Sequence, residues 1–204
     1  MNNDNALPMA VREILSVRPP NRIGETRASS YMDAAVLVPL LREEGRHKVL
    51  FTKRSQDVEH HKGQISFPGG SVDDDDGSVE ETALRETYEE IGVPMGDIEI
   101  LGRIDDALTV VSNFVIHPFV GLVPFPYDFT ISKAEVERLI NVPLEVFHPE
   151  NTGSRRHAVE YEGATYAGPA YEYKGDLIWG ATARIMENLM NIIGHKLPLP
   201  GEKK

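Results

Sequence analysis

Residues 67–93 read FPGGSVDDDDGSVEETALRETYEEIGV. Ser78 followed three residues later by Glu81 is a capping-box pattern, and Gly92 then Pro94 supply a stop. A helix is therefore predicted over about Val79 to Ile91. It is projected at about 100° per residue with Glu86 as zero. Glu89 then falls near −60° and Glu90 near +40°, both approximate. The three carboxylates share one face, while Leu84, Thr87, Tyr88 and Ile91 gather on the other side, where a core would take them.

Three crowded carboxylates repel one another, and crowding or burying them is unfavourable unless a cation neutralises them. Hard divalent ions such as Mg²⁺ take oxygen ligands of this kind. Arg85, one turn from both Glu81 and Glu89, is placed to hold part of the cluster in one rotamer. Charges at i, i+3 and i+4 more often form a plain solvated helix face. Here the preceding Phe67-Pro68-Gly69-Gly70 shifts the balance, because adjacent glycines let backbone approach an ion or phosphate closely. Other phosphate and metal signatures are absent: no GxxxxGK[ST], no HExxH, no GxSxG. An EF-hand reading of Asp73 to Asp76 with Gly77 fails, since its first and twelfth positions would be Val72 and Ala83. Asp73 to Asp76 is expected to be a solvated loop.

Outward from this stretch, the remaining 204-residue chain reads as one mixed α/β domain. A short helix is predicted at 10–17, ended by Pro19 and Pro20. Strands are predicted at Ala35 to Leu41, Lys48 to Lys53, Ile98 to Ile104, Leu108 to Val111, Phe114 to Val123 and Val142 to Phe147. Gly63 to Phe67 is a strand or a loop entry. Ser132 and Glu135 repeat the capping pattern and predict a helix at Ala134 to Ile140. A hairpin is expected about Glu162-Gly163, and a last helix at Leu177 to Ile193.

Composition narrows the chemistry. The chain has no cysteine, which removes disulfides, thiolate metal sites and thiol nucleophiles and favours a cytoplasmic location. The N-terminus does not read as a signal peptide, and no apolar run reaches the ~20 residues of a membrane helix. A net charge of −11 argues against nucleic-acid binding through bulk charge. It would also repel a polyphosphate substrate unless a bound cation bridged the two.

Together these residues resemble the Nudix hydrolases, whose signature is Gly-x5-Glu-x7-Arg-Glu-U-x-Glu-Glu-x-Gly-U with U bulky and apolar. Arg85, Glu86, Glu89, Glu90, Gly92 and Val93 match its second half. Gly70 stands one residue too far from Arg85, and Gly77 occupies the place of the first Glu. Upstream, Arg54, Ser55, Gly63, Phe67, Pro68, Gly69 and Gly70 are similar to the pattern of Nudix members acting on coenzyme A, with Glu59 where that pattern has a second Arg. The segment DLIWGATARI near the C-terminus also looks like that subfamily.

The resemblance implies an α/β/α sandwich with a mixed sheet over residues 1–204, with an N-terminal helix and extension at 1–30 and the glycine loop and metal-binding helix at 63–93. It implies Mg²⁺ (or Mn²⁺) on Glu86, Glu89 and Glu90, with Arg85 as an orienting residue. Arg54, Ser55, Phe67, Gly69 and Gly70 would meet a small nucleotide-like substrate. No membrane partner is expected, and a homodimer is left open. The implied reaction is hydrolysis of a diphosphate bond, coenzyme A or its acyl derivatives giving 3′,5′-ADP and 4′-phosphopantetheine. ADP-ribose or a dinucleotide is the alternative substrate, and a non-catalytic nucleotide-binding module the alternative class. For the general base a metal-face Glu, Asp105, Asp106, Glu145 and Glu150 are candidates. His60 and His61 lie near the glycines, and Trp179 and Tyr171 are candidates to stack on adenine, although core packing is the better account of a lone aromatic.

Overall fold

The computed structural model describes residues 6–23, 31–57, 61–109, 113–151, 155–161 and 163–194. In chain order these form α1 (Ala6–Val17), β1 (Met32–Glu43), β2 (Arg46–Arg54), β3 (Ile65–Ser66), β4 (Gly69–Ser71) and α2 (Val79–Ile91). Then come β5 (Glu99–Arg103), β6 (Ala107–Leu108), β7 (Phe114–Leu122), β8 (Val136–Pro143), β9 (Arg155–Tyr161), β10 (Ala164–Tyr173), β11 (Asp176–Ile178) and α3 (Gly180–Ile193). Glu59 and His60 lie outside the described residues. Among those described, no helix is long and apolar enough to cross a membrane.

The main sheet is mixed. Its path runs β3-β2-β1-β7-β5, with β4 on β1, β6 on β7 and β8 on β2. β1 and β7 pair in parallel (Leu37 opposite Phe119), and the other ladders are antiparallel. The alternation of side chains along β1 feeds two cores. Ala35 and Leu37 face α2, where they meet Ala83 and Ile91. Val38 and Leu40 face the opposite layer, where α1 and α3 contribute Leu7, Val11, Leu15, Met186 and Leu189. The sheet therefore lies between helices, the α/β/α arrangement expected. A second, three-stranded sheet (β9, β10, β11) packs on the α3 side through Tyr171 and Ile178.

Three expectations are corrected. The helix predicted at Ala134 to Ile140 is instead β8. Val136, Ile140 and Val142 are buried as the strand pairs along β2, Leu50 opposite Asn141. The Ser132 pattern closes only a turn, the N–H groups of Glu135 and Val136 donating to Ser132 O at 3.0 and 2.8 Å. The strand predicted at Val142 to Phe147 divides into the end of β8 and a 3₁₀ turn, Leu144–Phe147. The last helix starts at Gly180, because Asp176–Ile178 is drawn into β11 (Tyr171 opposite Ile178). Of the strand predicted at Leu108 to Val111, Val110 and Val111 lie outside the described residues.

Candidate active site

The site is built where α2 crosses β4. Ser78 Oγ accepts from the Glu81 N–H (3.1 Å), and Glu81 Oε2 accepts from the Gly77 N–H (3.0 Å). At the other end Gly92 turns left-handed (φ 74°), and its N–H donates to Tyr88 O at 2.9 Å. β4 brings the two glycines beneath this helix. A Cβ on Gly69, whose φ is +155°, would lie 2.4 Å from Ala35 O. A Cβ on Gly70 would lie 2.4 Å from Glu86 Cδ. The Glu86 carboxylate thus rests directly on the Gly70 backbone, a contact that only glycine allows.

Arg85 organises the acidic face. Its Nε and Nη2 donate to the two oxygens of Asp76, each at 2.9 Å, and Nη1 donates to Glu86 Oε1 at 2.8 Å and Glu89 Oε2 at 3.2 Å. Asp76 is 4% exposed at its side chain and also accepts from Thr82 Oγ1 at 2.8 Å. The hydrogen bond from Arg85 holds its carboxyl well below the usual carboxylate range, against the opposing effect of burial. Asp76 is therefore no solvated loop residue, and this resolves the irregular signature. Asp76 follows Gly70 at the spacing the pattern gives its first Glu, and the extra residue falls between Asp76 and Arg85.

The helical projection needs one correction. Tyr88, expected in the core, is 56% exposed, whereas Glu90 is 3% exposed. The buried sector of α2 centres on Ala83 and Thr87, which carries Glu90 inward with them. Its Oε2 has no hydrogen-bond partner. Burial is the main reason its pKa is pushed up to about 8; Glu135 and Glu86 add to the rise, and Arg54 and the Gly69 N–H oppose it. Glu86 is also raised, by burial first, against the pull of Arg85. Glu89 stays half exposed. The site therefore holds more negative charge than its own cations neutralise. Among the described residues no three ligand side chains converge as a ready-formed metal set.

Arg54, at the end of β2, sends its field onto Glu90. Ser55 is buried, and its Oγ accepts from the Asp57 N–H at 3.0 Å. The Phe67 ring is buried against Phe51, with centroids 4.9 Å apart. These two expected substrate contacts are thus a turn residue and a core residue. Tyr171 is core, edge-on to Phe147, and Trp179 is half-buried between Tyr161 and Tyr166. His61 Nδ1 lies 3.1 Å from Gln64 Oε1, a loop role.

Two general-base candidates are structural. Asp105 is held down at about 2: burial would raise it, but Arg18 (2.6 Å), the Asn21 N–H and Asn188 outweigh that. Asp106 is lowered in the same contest by His117 and Arg103, and it also accepts from the Ile23 N–H. Both pin the segment after α1 to the sheet.

Glu135, whose pairing with Ser132 in the sequence suggests a helix cap, lies near enough to Glu86 and Glu90 for its charge to raise both. A groove of about 410 Å³ opens beside Glu89, lined by Tyr88, Glu89, Gly92, Thr130, Ile131 and Ser132. A depression lined by Pro8, Arg42, Glu99 and Phe125 shares no residue with α2.

The NUDIX domain model matches residues 31–160. An uncharacterized Nudix hydrolase, NudL, of Yersinia pestis (strain Pestoides F) is 37% identical over 159 residues, 76% of this chain and 77% of the relative. The fold is similar to a Nudix hydrolase from M. smegmatis, RenU (TM-score 0.56, 15% identity, 84% of this chain and 90% of that one). It is also similar to a MutT/nudix family protein from Enterococcus faecalis (TM-score 0.55, 16% identity, 93% and 70%). With the extent of the domain match and the identity to the Yersinia protein, the chain belongs to the Nudix hydrolase family, enzymes that act on diphosphate bonds.

Proposed function

We propose that the chain hydrolyses the diphosphate bond of coenzyme A or its acyl derivatives, with Mg²⁺ or Mn²⁺ held by Glu86, Glu89 and Glu90. The observation that carries the cation assignment is the buried, unpartnered Glu90 Oε2 beside a raised Glu86. A buried carboxylate in a like-charged neighbourhood, short of protein cations, fits a divalent ion. When bound, that ion would neutralise diphosphate oxygens and make a coordinated water more acidic.

The chain's own residues supply the positioning. Arg85, locked by Asp76, holds Glu86 and Glu89 in fixed rotamers. Gly70 keeps side-chain bulk away from the Glu86 carboxylate, and Gly69 lets β4 lie close against Ala35 and Val36 of β1, so a phosphate oxygen would meet backbone there. Arg54 is the nearby cation for a second phosphate. The coenzyme A reading is supported by Arg54, Ser55, Gly63 and Phe67-Pro68-Gly69-Gly70 at that subfamily's spacing. Glu59, standing where the subfamily has an Arg, favours the second reading, another nucleoside diphosphate derivative such as ADP-ribose or a dinucleotide. A Mg²⁺-dependent turnover assay with coenzyme A, ADP-ribose and NADH in parallel separates the two. The expected result is the highest kcat/KM on coenzyme A. Preference for ADP-ribose would overturn the substrate, and no turnover of any diphosphate would favour a binding module.

A further inference from the structure

The face of the sheet opposite α2 carries a cation without a counter-charge. Arg184, in the second turn of α3, is half-buried, and its Nη2 donates to Leu108 O of β6 at 2.8 Å. Burial lowers its pKa from the ordinary arginine value, and no carboxylate acts to raise it. Among the described residues Arg12, Arg18, Arg85, Arg103, Arg138 and Arg155 all pair with carboxylates, and Arg184 pairs with none. The two acids that precede β6 are already committed. Asp105 is held by Arg18 and by Asn188, one turn further along α3, and Asp106 by Arg103 and His117. A partly desolvated guanidinium with a neutral carbonyl as its acceptor is unfavourable unless an anion joins it. The net charge is −11, so acids are plentiful, and the fold still gives Arg184 none.

Between Arg184 and the glycine strand the sheet is incompletely covered. Val36 and Ile116 stand on the central strands β1 and β7 on the α3 side, yet both are only half-buried, as is Ala107 of β6. Val36 lies opposite Gly69 in the ladder, and Ile116 opposite Ala107. A Cβ on Gly69 would lie 2.7 Å from Val36 Cγ1, so glycine keeps this apolar floor clear. The floor runs from β4 across β1 and β7 to β6, a span of roughly 14 Å at the ordinary strand spacing. One diphosphate is too short to reach both ends. A group at the acidic face and a group at Arg184 therefore belong to one longer ligand.

We propose that Arg184 binds a phosphate monoester of the substrate, separate from the diphosphate that is cut, with the intervening ribose lying over Val36, Ile116 and Ala107. On coenzyme A this is the phosphate that stays on the ribose of the 3′,5′-ADP product. The assignment rests on the coenzyme A reading above and gives that reading a source of selectivity, since ADP-ribose and NADH carry no such group.

The test compares coenzyme A with dephospho-coenzyme A, which lacks only that phosphate, by Mg²⁺-dependent kcat and KM. Binding of 3′,5′-ADP and of AMP to the metal-free full-length protein is measured alongside by calorimetry. Wild type is expected to prefer coenzyme A and to bind 3′,5′-ADP more tightly than AMP. Arg184→Gln should cut both preferences by about 10-fold or more, the scale of one charge-assisted hydrogen bond, and through KM rather than kcat. Arg184→Lys keeps a donor for Leu108 O but loses the planar fork, so it should lower both preferences less, and it carries the test should the Gln variant not fold. Arg138→Gln removes a cation already neutralised by Asp176 and should keep both preferences. If Arg184 only held β6 to α3, its variants would lower activity on the two substrates alike and leave both preferences intact, and that result overturns the assignment. If another diphosphate is turned over and coenzyme A is not, the coenzyme A reading falls. The Arg184 assignment is then decided by binding, and 3′,5′-ADP held no more tightly than AMP by wild type overturns it.

Discussion

Replacing Glu90 with Gln separates stability from function. The buried carboxyl has a pKa of about 8 in the fold against an ordinary 4.5. Below pH 4.5 it is protonated in both states and adds no penalty. Above that, the unfolded chain releases a proton that the folded chain retains, so stability is lost progressively until the pH passes about 8 and is then level. At about 1.36 kcal/mol per unit, the penalty at pH 7 reaches about 3 kcal/mol. Gln keeps the volume, removes the charge, and its amide would donate toward Glu86 and Glu135. The metal-free variant should therefore unfold about 6–12 °C higher than wild type at pH 7, since each kcal/mol moves a domain of this size by about 2–4 °C. Turnover should nearly vanish in the same protein. The assay is thermal unfolding in EDTA at about pH 5 to about pH 9, with Mg²⁺-dependent turnover measured on the same samples. A stability gain that widens with pH up to about 8 is the expected signature. A variant that unfolds earlier than wild type, or a difference flat with pH, would refute the burial argument; wild-type turnover would refute the site.

Asp76→Asn leaves Arg85 with Glu86, Glu89 and the exposed Asp73 as its ion partners and Ser71 O as an acceptor. Breaking a buried ion pair costs about 3–5 kcal/mol, and the lower end is expected here, a fall of about 6–12 °C in unfolding temperature above pH 4. Because the Asp76 pKa is depressed, this contribution is full above the ordinary carboxylate value and is lost as the pH falls below it, so wild type and variant should converge in acid. Gly70→Ala would put a Cβ 2.4 Å from Glu86 Cδ and displace that carboxylate. Turnover should drop about 100-fold, the scale of a misplacement of about 1 Å. Overpacking should lower stability by no more than about 1–3 kcal/mol, read from denaturant unfolding.

Several features could be read from local sequence because local physics decides them. The limits of α2 follow from the Ser78 cap and the left-handed Gly92, and both are settled by backbone geometry within one turn. The strands β1, β2 and β7 announce themselves as β-branched apolar runs, and the excess of carboxylates on α2 follows from spacing alone. The Asp76–Arg85 pair was hidden because one extra residue in a turn shifts the count without moving the side chains apart.

Tertiary structure decided the rest. A helical wheel says which residues share a face, but only the packed sheet says where the buried sector centres. That centre lies near Ala83 and Thr87, so Glu90 is buried and Tyr88 is exposed. β8 is a strand because the edge of β2 offers a ladder of hydrogen bonds along Lys48 to Arg54 that local propensity does not include. The same pairing turns an apparent helix cap into the turn that carries Glu135 to the acidic helix. The sequence by itself thus determined the family and the charge of its acidic helix; the surroundings of each carboxylate were set by contacts between segments far apart in the chain, where burial and neighbouring charge are determined.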